Sequence, residues 1–238
     1  MPVITFANTK GGAGKTTALL IFASELVRRG QRVTIVDADP RGWISRWNDI
    51  SPADPLLTVC YDVDEALIEP VVTKARKRSD YVLIDLASSH DAVLAKAVGL
   101  ADHVLIPVQG CAMDAAGGAE VLDLLNELQT RCNVEISHSV VLSRVNAAVT
   151  TRALQAARTF LQSRSIPVME TPIVERAAYR DVFDKGGFLH TLSESDVSNL
   201  SKAIDNGRML TDEMLKLLPQ KKAKTRATAK QAVTRKAA

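Results

Sequence analysis

Apolar residues fall along this chain in two alternating rhythms. Short, nearly unbroken runs rich in Val, Ile and Leu recur at Val3–Ala7, Arg32–Asp37, Tyr81–Leu86, His103–Val108 and Ser137–Leu142, with a shorter run at Leu57–Tyr61. Such runs predict strands buried on both faces. Between them, apolar positions recur at helical spacing. This predicts helices over Lys15–Arg29 (Leu19, Phe22, Ala23, Leu26, Val27), Asp64–Arg78, Ala92–Leu100 and Ala115–Thr130 (Val121, Leu122, Leu125, Leu128). Two more are predicted over Thr151–Gln162 and Glu194–Leu218, the last with Val197, Leu200, Ile204, Leu210, Met214 and Leu217 as its stripe. Pro167–Ile173 reads as a short edge element. Strands alternating with helices of this length predict an α/β fold: a mostly parallel twisted sheet with helices on both faces, in three layers.

Composition adds little until charge is mapped. The 238 residues are 46% hydrophobic and 24% charged, an ordinary globular balance that excludes wholesale disorder, a collagen or a disulfide mini-protein. The net charge of +3 is unevenly spread. Residues 219–238 carry seven Lys/Arg and no carboxylate, leaving 23 basic and 27 acidic side chains in residues 1–218. The tail has one large aliphatic residue, Val233, too little apolar surface to offset the entropy of ordering. One domain over 1–218 followed by a disordered basic tail is therefore expected, with an anionic partner. Cys60, Cys111 and Cys132 form no CxxC pair, no basic segment precedes an apolar leader, and no uncharged run approaches the ~20 residues of a membrane span. These features predict a cytoplasmic protein.

The chemistry gathers after the first strand. Lys10-Gly11-Gly12-Ala13-Gly14-Lys15-Thr16-Thr17 joins that strand to the first helix. Glycines let backbone N–H groups curl around an anion, and the helix N-terminus adds its dipole. Lys15 can reach terminal phosphates, and the Thr16 hydroxyl can ligate Mg²⁺. Asp37 and Asp39 close the second strand and Asp85 the fourth, where a parallel sheet gathers its strand ends beside the loop. A carboxylate after apolar residues suits Mg²⁺, often through water; a helix cap or turn is the alternative for any one of them.

These residues, with Val36-Asp37-Ala38-Asp39-Pro40 and Leu83-Ile84-Asp85, resemble the deviant Walker ATPases of the ParA/MinD class over most of residues 1–218. The early lysine of the loop belongs to this class, and Asp-Ala-Asp-Pro points to its ParA branch, the short type without an N-terminal helix-turn-helix domain. The chain is also similar to a related protein of DNA-transfer systems. The resemblance implies an ATPase in which ATP is sandwiched between two subunits. Lys10 would reach the partner's ATP, Asp39 would position the attacking water, and Asp37 and Asp85 would support the metal bound by Thr16. Asn146 would read the adenine edge or serve a turn. The homodimer would bind DNA without sequence preference, associate with the nucleoid, and be released when a ParB-like centromere-binding protein stimulates slow hydrolysis. A MinD-like or transfer-associated positioning ATPase is the alternative. A membrane-binding helix needs large apolar residues that the tail lacks, so no stable membrane binding is expected.

Two departures from the family pattern stand out. Arg41 follows Asp-Ala-Asp-Pro where Gln is usual. Leu86-Ala87-Ser88-Ser89-His90 follows Asp85 where prolines are usual. Trp43 and Trp47 would share a face if helical; burial is expected, with a dimer-interface role as the alternative. For DNA, Lys221, Lys222, Lys224 and Arg226 of the tail and Arg152, Arg158, Arg180, Lys202 and Arg208 of the body are candidates. With aromatics at only 4%, backbone contacts rather than base stacking are expected.

Overall fold

The computed structural model describes residues 1–89, 92–109, 112–133, 135–146 and 152–218. The basic tail, with Lys221, Lys222, Lys224 and Arg226, lies outside them, as do His90 and Cys111. The elements run β1 (Val3–Phe6), α1 (Lys15–Arg28), β2 (Val33–Ala38), α2 (Trp43–Ile50), β3 (Leu57–Cys60), α3 (Ile68–Ala75), β4 (Tyr81–Leu86) and α4 (Ala92–Leu100). They continue with β5 (His103–Gln109), α5 (Ala112–Cys132), β6 (Ser137–Ser143), α6 (Arg152–Ser163), α7 (Ala177–Lys185), a 3₁₀ turn at Leu189–Thr191 and α8 (Leu200–Leu217).

The six strands form one parallel sheet in the order β3-β2-β4-β1-β5-β6. Alternate residues of each strand enter two separate cores, which is why the strands read as continuous apolar runs. Ile4, Phe6, Ile35, Leu83, Leu105 and Val141 pack under α1, α2, α7 and α8. Val3, Val36, Val82, Ile84, Val104 and Ile106 pack under α3, α4 and α5. Each fully buried large side chain, such as Phe22 or Leu26 of α1, contributes on the order of 2 kcal/mol. The predicted three-layer α/β/α fold is present, and β1 sits in the middle of the sheet with its C-terminal end flanked by β4 and β5.

Local boundaries differ from the periodic reading where polar side chains intervene. α3 begins at Ile68 rather than Asp64, because the Asp64 carboxylate accepts from the N–H groups of Ala66 and Leu67, both at 2.9 Å, and holds a turn there. α8 begins at Leu200 rather than Glu194: Asn199 takes a left-handed φ of 56°, which ends the turn over Ser193–Val197. α2 and α7 were not marked as helices by apolar spacing. The burial expected of the tryptophan pair holds for one member. Trp47 is buried, donates its indole N–H to the Gly187 carbonyl at 2.9 Å and packs on Phe188, whereas Trp43, the first residue of α2, is 46% exposed.

Candidate active site

The loop between β1 and α1 is pinned by two strands, β5 and β6. Asn8, the last buried residue before the loop, donates to the Pro107 carbonyl at 2.7 Å and accepts from the Lys10 N–H at 2.8 Å. Gln109 at the end of β5 donates to the Gly12 carbonyl, and Ser143 at the end of β6 donates to the Ala13 carbonyl at 2.7 Å. Gly12 and Gly14 take φ of 78° and 98°, the left-handed region that L side chains avoid. Gly14 is the N-cap of α1, no side chain caps that end, and its first turn holds no acidic residue. The free N–H groups and the positive dipole end of α1 are thus left for an anion.

Lys15 and Thr16 point to the strand ends. Lys15 Nζ donates to the Asn8 carbonyl at 2.9 Å, the Lys10 carbonyl at 3.4 Å and Ser88 Oγ at 2.6 Å. Burial lowers its pKa, against the pull of Asp85 and Asp39. Thr16 Oγ1 donates to Asp85 Oδ2 at 2.9 Å. Asp85 is fully buried, and burial raises its pKa to about 7 despite the Thr16 hydrogen bond, with Asp37 adding to the rise. Its other oxygen, Oδ1, has no hydrogen-bond partner among the described residues. A buried orphan carboxylate oxygen beside a hydroxyl is a hard-oxygen donor set, and it fits a Mg²⁺ that keeps several of its own waters. No group of three or more His, Cys, Asp or Glu able to hold a metal by itself occurs among the described residues.

Asp37 is differently engaged. Its Oδ2 accepts from Ser45 N–H and Oγ at 2.9 and 2.6 Å, and its Oδ1 accepts from the Asp39 N–H at 3.3 Å. Asp39 lines the site, accepts from the Arg41 N–H at 2.9 Å and lies 3.8 Å from the Arg41 guanidinium.

A cavity of about 330 Å³ opens over these groups. Gly12, Gly14, Lys15, Thr16, Thr17 and Asp39 form its polar floor. The far wall contains residues that pattern reading passed over, Arg144, Arg176 and Tyr179, with Trp43 and Phe183 beside them; Ser88, from the unusual stretch after Asp85, lines the cavity as well. From the β6 end the cavity takes Ser143 and Arg144, while Asn146 is exposed. Gly117 on α5 was also missed. Its carbonyl faces Thr9 N–H, and a Cβ there would stand 2.8 Å from the Lys10 nitrogen and against Asn8 Oδ1.

The basic candidates on the body separate. Arg158 bonds the Met169 and Glu170 carbonyls and pairs with the Glu170 carboxylate at 3.5 Å. Arg180 pairs with Glu175 at 3.5 Å and lines the cavity. Arg208 pairs with Asp205 at 3.0 Å. Arg152 and Lys202 are exposed, as is Lys10. No described helix is long and apolar enough to cross a membrane.

This arrangement has relatives. The family model described as VirC1 protein matches residues 1–220. The chain is 31% identical over 220 residues to protein ParA of Rhizobium radiobacter, covering 92% of this chain and 99% of that one. It is 30% identical over 187 residues to the maintenance of carboxysome distribution protein A of Halothiobacillus neapolitanus, covering 77% and 84%. A Cyanothece McdA–ATP complex shares the fold, with a TM-score of 0.68 at 18% identity over 92% of this chain and 98% of that one. The chain belongs to the VirC1 family and is a ParA-type P-loop ATPase of the partition and positioning class.

Proposed function

We propose that this ATPase is a DNA-partition switch: an ATP-bound homodimer that holds DNA without sequence preference and leaves it after hydrolysis. The observation that carries the reading is the meeting of Lys15, Thr16 and Asp39 on one cavity, with Asp85 behind Thr16 and Lys10 exposed at the start of the same loop. Gly11, Gly12, Ala13, Gly14 and Thr17 cradle the inner phosphates through backbone N–H groups. Lys15 neutralises the terminal phosphates in its own subunit, and Lys10 those of the second subunit's ATP, so that the nucleotide joins the dimer. Thr16 and Asp85 hold Mg²⁺, and Asp37, whose carboxylate is tied to α2, positions that strand end. Bound Mg²⁺ supplies positive charge to the phosphate oxygens. Asp39 orients the attacking water. Ser143 and Arg144 are better placed than the exposed Asn146 to meet the base.

For DNA, the exposed cations Arg152 and Lys202, which have no ion pair among the described residues, and the basic tail, with Lys221, Lys222, Lys224 and Arg226, suit a phosphate backbone. Arg158, Arg180 and Arg208 already hold carboxylates, so they contribute less. A ParB-like partner triggers hydrolysis, and the DNA-bound form sits on the nucleoid of the cytoplasm. A second reading, which the sequence resemblance to a protein of DNA-transfer systems suggests, exchanges the replicon for a DNA-transfer complex as cargo.

The test is retention of the full chain on a non-specific duplex with ATP, ADP or no nucleotide, beside acidic liposomes. ATP-dependent DNA retention, prolonged in Asp39→Ala, is expected. Removing residues 219–238 should flatten the salt dependence by several units of log–log slope. DNA retention indifferent to ATP, or preference for the liposomes, would overturn the reading.

A further inference from the structure

Ser88 stands two residues beyond the end of β4, and its Oγ lies 2.6 Å from Lys15 Nζ. It lines the same cavity as Gly12, Lys15 and Thr16. A Cβ at Gly11 would stand 4.0 Å from the hydroxyl, so Ser88 faces the backbone of the phosphate loop as well as its lysine. One strand end therefore grips two successive loop residues: Asp85 takes the Thr16 hydroxyl and Ser88 takes the Lys15 ammonium.

An ammonium has only protons to give, so Ser88 Oγ is the acceptor in this contact. Its own proton has no acceptor among the described residues. Lys15 has three protons, and they go to the carbonyls of Asn8 and Lys10 and to Ser88. An anion that enters the cavity and recruits Lys15 competes first with Ser88, the one partner that is a rotatable side chain rather than fixed backbone. The hydroxyl it displaces is then beside a charged oxygen and free to donate to it. This exchange replaces a contact to a cation by a charge-assisted hydrogen bond to an anion.

We propose that Ser88 distinguishes a nucleoside triphosphate from a diphosphate, its hydroxyl donating to the terminal phosphate that Lys15 neutralises and returning to Lys15 when that phosphate is absent. The proposal rests on the nucleotide reading above and deepens it by naming the side chain that reads the last phosphate. The backbone cradle deals with the inner phosphates, which both nucleotides share, while the lysine tip reaches outward to the end of the chain of phosphates. The Ser88 hydroxyl sits at that tip. The departure from the proline-containing family pattern after Asp85 thus puts a hydrogen-bond donor where the family resemblance offers none.

Calorimetric titration of the full chain with Mg²⁺ and either ATPγS or ADP tests this. In Ser88→Ala, affinity for ATPγS should fall about tenfold, the loss of one hydrogen bond to a charged group, while affinity for ADP stays within about twofold of wild type. Unchanged ADP binding also shows that the variant is folded. Ser88→Thr, which keeps the hydroxyl, should restore the preference for ATPγS. Equal losses for both nucleotides, no loss for either, or a Ser88→Thr protein that behaves as Ser88→Ala would overturn the proposal. A wild-type protein that binds neither nucleotide would overturn the nucleotide reading itself, and this proposal with it, before any variant is compared.

Discussion

Asp37 and Asp85 are register partners on adjacent strands β2 and β4, yet one carboxylate is saturated and the other is half empty. Asp37 accepts from Ser45 and the Asp39 backbone, while Asp85 accepts from Thr16 and keeps a buried oxygen that has no partner among the described residues. The consequence is a pH dependence. Burial raises the Asp85 pKa from 3.8 to about 7, so the folded chain binds a proton that the unfolded chain has released. Stability from this group is present below pH 4 and is lost as pH rises towards 7. In protein stripped of nucleotide and divalent cations, Asp85→Asn should therefore be more stable than wild type at pH 8, by about 2–3 kcal/mol relative to pH 5. Urea denaturation at the two pH values measures the gap. A gap that does not change with pH would show that Asp85 is not held neutral.

His103 gives the opposite sign. It is buried at the start of β5, with Nδ1 and Nε2 each 2.9 Å from a hydroxyl, Ser137 Oγ and Ser139 Oγ. Burial, aided by His138, lowers its pKa from 6.5 to about 4. The unfolded chain then binds the extra proton, so this stability is complete above pH 6.5 and is lost as pH falls towards 4. Between pH 7 and pH 5 the wild type should lose about 2 kcal/mol from this site alone. His103→Gln, able to bond one serine, should be less stable at pH 7 and lack that acid slope. The same slope in both proteins would place the acid sensitivity elsewhere.

The strands, the parallel sheet and the phosphate loop were legible in the sequence because each rests on local information. A buried strand announces itself as an unbroken apolar run, and the loop as glycines between strand and helix. What was not legible depends on contacts far apart in the chain. α2 is short and keeps one tryptophan out and one in, because Gly187, 140 residues away, accepts from Trp47. Asp37 reads like Asp85 in sequence, and only the position of Ser45 separates their roles. Arg176 and Tyr179 reach the cavity from a segment whose spacing carries no sign of it.

Gly117 offers a test of how tightly the loop is held. It lies in α5, where a second glycine follows it and helix propensity favours alanine by about 1 kcal/mol. The close approach of Asn8 and the Lys10 backbone explains the glycine, since a Cβ would overlap backbone that cannot move without shifting the loop. Gly117→Ala should therefore weaken nucleotide binding at least tenfold and cost about 1–3 kcal/mol of stability, despite the better helix former. Titration with ADP and thermal unfolding check the two halves. A stabilised protein with unchanged affinity would mean that α5 can give way.

The last prediction concerns the far wall of the cavity, which α8 holds in place. Asn206 is buried; its Oδ1 accepts from Val174 N–H and Tyr179 OH, both at 3.0 Å, and its Nδ2 donates to the Pro172 carbonyl at 2.9 Å. About two turns further along α8, the Glu213 carboxylate accepts from Glu170 and Thr171 N–H at 2.6 and 2.8 Å. Val174 and Tyr179 line the cavity, whereas Lys15, Thr16 and Asp39 belong to its floor. Asn206→Leu keeps the volume but leaves the Val174 N–H and the Pro172 carbonyl without their bonds, while Tyr179 OH keeps the Ala203 carbonyl at 3.2 Å, at a cost of about 2 kcal/mol. Because the floor is untouched, the variant should raise KM for ATP about fivefold while kcat at saturating ATP stays within about twofold. Tyr179→Phe, which removes one hydroxyl and leaves Asn206 its two backbone bonds, should cost about 1 kcal/mol and shift KM less. Steady-state hydrolysis over a range of ATP concentrations separates the two parameters. A fall in kcat with KM unchanged would place Asn206 in the support of the floor rather than of the wall.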